Sequence, residues 1–277
     1  MTNLAEQVNF LYHRELGGLE MVRAQYRHKN FAKHCHETYT ISVIETGVQK
    51  FYRSGGEHFA PEHSIILVNA DDVHTGQAAD GVGWSYQAIY PTEAHFQQLA
   101  ANIGWSNHFA PYFPQPVVYD PELAAELRSL FQCLNSEPNS LKRETLLNLS
   151  LTKLMVRHGR TKQEVTPKAK RFSSLVRARD YLNDHLTENI QLEQLAQISH
   201  LSVFYLVKQF QQQFGLTPHA YQLQQKLKRS KQLLKQGHSV VETSMMLGFH
   251  DQSHFHRHFK KSLGISPGQF AIAVNKG

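Results

Sequence analysis

His250, His254 and His258 recur at every fourth position, a spacing that would let three imidazoles chelate zinc or nickel from one helix face. The residues around them argue for a different chemistry. The stretch from His250 and Asp251 to Pro267 repeats, forty-nine positions later, the stretch from Leu201 and Ser202 to Pro218. Ser202 falls on Asp251, Leu206 on Phe255, Lys208 on Arg257 and Phe210 on Phe259; Gly215 and Pro218 fall on Gly264 and Pro267. Each copy reads as a capping residue, an amphipathic helix carrying a cation, a glycine stop and a proline. Two equivalent protruding helices suit a target that repeats, as the DNA major groove does. His254 and His258 flank the core positions Phe255 and Phe259 and have no acidic or cysteine ligand nearby in sequence. Packing and phosphate contact are therefore favoured over chelation.

The elements that must position these helices can be read on either side. In the first copy residues 192–197 form a short helix, His200 and Leu201 the turn, and residues 203–214 a second helix capped by Ser202. Leu206, Phe210 and Phe214 share its buried stripe, which leaves Phe204, Val207, Lys208 and Gln211 on other faces. Residues 240–247, a turn at Gly248, Phe249 and His250, and a helix over 252–263 repeat the arrangement. A helix over 219–236 links the two. In a helix-turn-helix the second helix enters the major groove by its N-terminal part.

Upstream the pattern changes. Residues 20–91 read as short strands, with residues 39–44 and 64–68 rich in β-branched and aromatic types. Turn signals at Ser54, Gly55 and Gly56, at Asp71 and Asp72, and from Asp80 to Gly83 punctuate them, which predicts an antiparallel barrel or jelly roll. Helices follow over 92–103, 121–134 and 140–157. The second places Leu123, Leu127, Leu130 and Leu134 on one stripe, and the third Leu147, Leu151 and Leu154. Residues 158–168 are polar and broken by glycine and proline, and read as a linker.

Composition agrees with two unlike halves. The 277 residues carry a net charge of +6, but from Thr161 onward there are 16 Lys and Arg against 7 Asp and Glu, and before it 13 against 16. A basic half joined to a mildly acidic one fits a nucleic-acid module fused to something else. Two cysteines, Cys35 and Cys133, offer neither a disulfide framework nor a zinc motif. No apolar run approaches the roughly 20 residues of a membrane span, and the first residues lack a signal-peptide pattern, so a cytoplasmic protein is expected. No nucleophile motif, P-loop or dinucleotide fingerprint occurs, and no enzyme is expected.

The run from Gly248 through Asp251, Gln252, His254, Phe255, Arg257 and Phe259 to Lys261, followed by Gly264, Ile265, Ser266 and Pro267, resembles the signature of the AraC-type transcription regulators. The likeness extends over about 100 residues, from Phe172 to Phe270. It implies two reading helices on one face of DNA in successive major grooves. The implied DNA-contacting residues are Val203, Phe204, Val207, Lys208 and Gln211 in the first helix, and Gln252, Ser253, His256 and Arg257 in the second. Gln pairs with adenine, Arg with guanine, and an exposed Phe and Val with thymine methyls. Lys208 stands where the family often has Arg, which favours a phosphate contact.

The upstream half resembles the cupin-like sensor barrel of many such regulators, through His34, Cys35 and His36, then Gly47, Pro61 and His74. An enzymatic cupin adds a glutamate, but Thr40 or Ile41 stands there, and His63 replaces a turn glycine. Polar lining of a barrel mouth is therefore favoured over metal binding, and no cofactor is expected. The resemblance places a small-molecule effector in that mouth, with His34, His36, Tyr39, His74, Trp84 and Tyr86 as candidate liners. Trp84 and Tyr86 alternate on one strand and can share a face.

The expected architecture is thus α+β in two domains. Residues 1–158 form a cupin-like antiparallel β-barrel with a helical pair, 159–171 a linker, and 172–277 an all-α double helix-turn-helix. The family likeness implies dimerisation through the helix pair, double-stranded DNA and RNA polymerase as partners, and activation of transcription. A metal-dependent cupin enzyme fused to a DNA-binding module, or a ligand-independent DNA-binding protein, are the alternatives.

Overall fold

The computed structural model describes residues 6–79, 82–105, 109–161 and 172–276. They divide into two compact units, one built from the described residues up to 161 and the other from residues 172–275. The first unit contains ten strands: β1 (Gln7–His13), β2 (Leu19–Tyr26), β3 (Asn30–His34), β4 (Thr40–Gly47), β5 (Gln49–Arg53), β6 (Gly56–Ala60), β7 (Ile65–Val68), β8 (His74–Ala78), β9 (Trp84–Tyr90) and β10 (Val117–Val118). They build two antiparallel sheets, ordered β1-β2-β9-β4-β7-β10 and β3-β8-β5-β6. Two of these strands, β1 and β10, lie outside the stretch that the sequence marks as strands.

The side-chain period of two explains how one sheet serves two cores. Along β2, Leu19 and Met21 face one way, and Val22, Ala24 and Tyr26 the other. In β7, Ile65 and Leu67 face the first side, Ile66 and Val68 the second, and all four are buried. The second set meets Phe31, Phe51 and Ala60 of the smaller sheet and fills the space between the sheets. The first set meets three helices: α1 (Glu93–Asn102), α2 (Pro121–Ser136) and α3 (Ser140–His158). Continuous apolar runs such as β7 are what a strand buried on both faces requires.

The helices begin where the sequence places their caps. The Asp120 carboxylate accepts from the Leu123 N–H, ahead of proline at the start of α2, and Asn139 accepts from the Lys142 N–H. Leu123, Leu127, Leu130 and Leu134 meet Leu147, Leu151 and Leu154 in the core beneath the sheet. Past α3, Arg160 still pairs with Tyr112 through two main-chain bonds of 2.8 Å, so the first part of the expected linker belongs to the first unit. Residues 162–171 of that linker lie outside the described residues.

The second unit is helical throughout its described residues: α4 (Phe172–Asp184), α5 (Leu192–Ser199), α6 (Val203–Phe214), α7 (Pro218–Lys235), α8 (Val240–Met246), α9 (Gln252–Leu263) and α10 (Pro267–Asn275). Leu206 and Phe210 of α6 pack with Leu175, Ala178 and Leu182 of α4 and Leu195 and Ala196 of α5. In the second copy Phe249, Phe255, Phe259 and Phe270 form a chain of ring contacts 5.0–5.7 Å apart. Gln222 of the connecting α7 is buried and donates toward the carbonyls of Leu186 and Glu188, which fastens the loop after α4 to it.

Candidate functional site

The two reading helices are built alike. Ser202 caps α6 by accepting from the Tyr205 N–H, and Asp251 caps α9 by accepting from the His254 N–H at 2.6 Å. Both stop at a left-handed glycine, Gly215 at φ 74° and Gly264 at φ 80°. Thr217 caps α7 ahead of Pro218, and Ser266 accepts from Gln269 N–H at the start of α10.

The turns before the reading helices differ. In the first copy His200 takes the left-handed conformation at φ 54°; in the second it is Gly248, at φ 62°. A β-carbon on Gly248 would lie 2.2 Å from the Thr187 carbonyl oxygen, so that turn requires glycine for close approach as well as for its backbone angle.

Phe204, Lys208 and Gln211 are exposed on α6, Phe204 at 78 %, while Val203 and Val207 are half-buried at its edge. On α9, Gln252, Ser253, His256 and Arg257 are all exposed. Each helix thus turns a short row of accessible side chains outward from its first turns, while Leu206 and Phe210 in α6 and Phe255 and Phe259 in α9 are buried on the opposite face. His254 and His258 are half-buried, with their Nε2 atoms 2.9 Å apart. Burial, then the neighbouring His254, Arg257, Lys261 and His219, lowers the His258 pKa. His250 does not continue their row: it precedes the cap and reaches the Asp251 carboxylate at 3.0 Å. The helical chelate that the spacing offers is therefore not assembled.

In the first unit the sequence-predicted histidines converge. His34 and His74 face each other across the β3–β8 ladder, with ring centroids 4.3 Å apart. His36 lies 4.9 Å from His74. His74 is buried, and His34 and His36 are half-buried. Burial lowers the pKa of His34; for His74, burial and then the two neighbouring imidazoles press it well below the ordinary value.

Trp84 and Tyr86 share the inner face, clustered on Tyr26 at 5.3 and 6.3 Å. Tyr39 does not. Its ring packs on Phe96 and Phe113, and its hydroxyl donates to the Pro111 carbonyl at 2.8 Å. It precedes Ile41 and Val43 on the helix-facing side, so strand alternation takes it away from the histidines.

Three residues of the inner face escaped the sequence reading. Tyr90 continues the alternation of Trp84 and Tyr86 and meets His36 edge-on at 5.6 Å. Tyr26 and the buried Glu20 continue the alternation of Val22 and Ala24 in β2. Burial holds the Tyr90 phenol well above its usual range, helped by Tyr86, Tyr26 and Glu20, and burial pushes Tyr86 up to about 12. The inner site is aromatic and rich in hydrogen-bonding groups. A groove of about 620 Å³ opens on the larger sheet, lined by Asn9, Arg23, Gln25, Glu45 and Gln87, and Tyr86 of the inner face borders it too.

A sheet domain with convergent polar groups, followed by paired reading helices, defines a two-domain transcription regulator with a ligand-binding module. Residues 16–151 match the AraC-like ligand binding domain family, and residues 195–272 match a helix-turn-helix domain family. The HTH-type transcriptional regulator YbfI of Bacillus subtilis is 28 % identical over 226 residues, 82 % of each chain. The transcriptional activator RhaS of Shigella sonnei is 24 % identical, over 86 % of each. In fold, the chain is similar to ToxT of Vibrio cholerae solved with an unsaturated fatty acid bound (TM-score 0.53, 13 % identity, covering 100 % of this chain and 98 % of that one). The chain belongs to the AraC-type transcription regulators. Its two-domain α+β architecture and its double helix-turn-helix are as the sequence implies.

Proposed function

We propose that α6 and α9 read successive major grooves of an operator, and that a small molecule bound on the inner face of the sheet domain controls that reading. The observation that carries the DNA half is the repetition of one capped, outward-facing helix at a fixed interval in a single helical unit. Arg257 and Gln252 supply the donors that pair with guanine and adenine edges, Phe204 and Val207 meet thymine methyls, and Lys208 neutralises phosphate. Val203, Gln211, Ser253 and His256 complete the contact row.

The effector site we assign to His34, His36 and His74 with Trp84, Tyr86 and Tyr90. Convergent polar groups on aromatic walls orient a small ligand. The ligand acts by binding two arrangements of the protein with different affinity. We further propose a cytoplasmic, non-enzymatic homodimer, joined through the α2–α3 pair, that activates transcription in contact with RNA polymerase. The role of RhaS as an activator and the fatty acid bound to ToxT support the sign and the effector. So do Leu141, Leu149 and Val156, exposed on α3, for the dimer. Among the described residues no helix is long and apolar enough to cross a membrane. Of the expected linker, residues 159–171, the part beyond Arg160 joins the two units in this reading.

Footprinting on genomic fragments tests the DNA half. Protection of two adjacent groove segments per subunit is expected, each lost on substituting its own helix; protection of one segment with the other helix silent refutes it. Log affinity should fall steeply with log salt as several phosphates are neutralised. Metabolite titration tests the sensing half. An effector whose action is removed by Tyr90→Ala supports the inner site, whereas one removed only by Arg23→Ala assigns it to the groove on the larger sheet.

A further inference from the structure

We propose that His34, His36 and His74 form a binding site for one divalent transition-metal ion, zinc by preference, held by three imidazole nitrogens with a fourth position left open. The sequence argues against metal here because the carboxylate of a cupin is missing. The arrangement of the side chains argues for it.

The ligand nitrogens of the three histidines all lie within 4.8 Å of one another. Zinc–nitrogen bonds of about 2.0–2.1 Å call for ligand atoms about 3.3 Å apart in a tetrahedron, a contraction within reach of small side-chain rotations. His34 and His74 are direct register partners on antiparallel strands, and His36 follows two residues beyond. The backbone therefore sets two of the three ligands opposite each other.

The outer contacts decide which nitrogen is offered. His34 Nδ1 lies 2.7 Å from the Ala32 carbonyl, His36 Nδ1 2.8 Å from that of Thr38, and His74 Nδ1 2.9 Å from that of Asp72. A carbonyl only accepts, so each contact places the proton on Nδ1 and the lone pair on Nε2. Main-chain carbonyls orient metal-bound histidines in this way. A cation set among the three rings can take all three Nε2 lone pairs at once. The Thr40 hydroxyl, 3.1 Å from His36 Nε2, turns its proton away when the metal enters.

The donor set also selects the ion. Three imidazoles without a carboxylate suit zinc, nickel, copper or iron and disfavour magnesium and calcium. The Asp72 carboxylate is committed to Arg53 and Asn69, and Cys35 lies outside the group. The bound ion would keep its full double charge, so the open position favours an anionic or thiolate ligand. Three protein ligands with one exchangeable position are the arrangement of a working zinc site rather than a structural one. The ion would engage the same three histidines as the effector reading, leaving an effector the open position and the aromatic walls; metal titration without effector and metabolite titration read the two separately.

The test uses the full-length chain stripped by chelator and titrated with Zn2+ and with Co2+. One equivalent should bind, with the visible absorption of four-coordinate cobalt. His34→Gln and His36→Gln together should weaken binding by more than about tenfold while circular dichroism stays unchanged; His250→Gln should leave it intact. A folded wild-type chain that takes up no metal overturns the site, as does one-equivalent binding that survives the double substitution. Should the double variant unfold, histidine nitrogen NMR of the wild-type chain decides: Zn2+ must shift the Nε2 signals of exactly these three rings, and a shift confined to His250, His254 or His258 refutes the assignment.

Discussion

The Arg53 guanidinium donates from Nε to the Asp72 carboxylate at 2.9 Å while Arg53 itself is fully buried. Its other nitrogens donate to main chain: Nη1 to Leu67 at 2.8 Å and Nη2 to Phe113 at 2.6 Å. One side chain thereby fastens the smaller sheet, the larger sheet and the segment leading to α2.

Replacing Arg53 by Leu would remove a donor from the Leu67 carbonyl and leave the Asp72 carboxylate and the Phe113 carbonyl to the Asn69 amide alone. A loss of roughly 1–3 kcal/mol is expected, the range for leaving buried polar groups short of a partner. Chemical denaturation of the sheet domain measures it, and a loss below about 1 kcal/mol would show that water replaces the guanidinium.

Gly248→Ala should cost at least about 1–2 kcal/mol from its left-handed backbone alone, and more from contact with the Thr187 carbonyl. The helical unit should melt earlier and the second groove contact should weaken. An unchanged melting temperature would mean that the turn refolds around alanine.

Arg257→Ala should weaken operator binding by roughly 1–3 kcal/mol and relax one base position. Equal losses on operator and random DNA would reassign Arg257 to phosphate. Phe204→Ala should lower operator affinity without lowering the melting temperature, because the ring is 78 % exposed and lends nothing to the core; a lower melting temperature would contradict that.

His258 gives the helical unit a pH dependence of known sign. Its pKa is lowered in the fold by burial and then by His254, Arg257, Lys261 and His219. Below about pH 6.5 the unfolded chain therefore takes up more protons than the folded one, and stability falls as pH falls. His258→Gln lacks this penalty. The melting-temperature advantage of wild type over the variant should shrink between pH 7.5 and 5.5, and an advantage that grows would reverse the assignment.

The helical half was nearly all legible, because its signals are local. Caps at Ser202 and Asp251, glycines at Gly215 and Gly264 and stripes three and four residues apart are short-range patterns, and the expected helices lie within two residues of the observed ones. The sheet half was legible only in outline. Val8, Phe10 and Tyr12 alternate in β1, but no turn signal precedes them, and β10 is two residues long. Tyr39 was misplaced because alternation tells which residues share a face, not which face is inside. The meeting of His34, His36 and His74 depends on β3–β8 pairing across some forty residues, which spacing along the chain does not reveal.

The strands β4, β7 and β9 carry a further implication. Ile65 touches the helix layer and Ile66, the next residue, touches the space between the sheets. A single thickness of backbone separates the space between the sheets from α2 and α3. Such a wall is a diaphragm: whatever shifts one side of it bears directly on the other, without a relay of intervening residues.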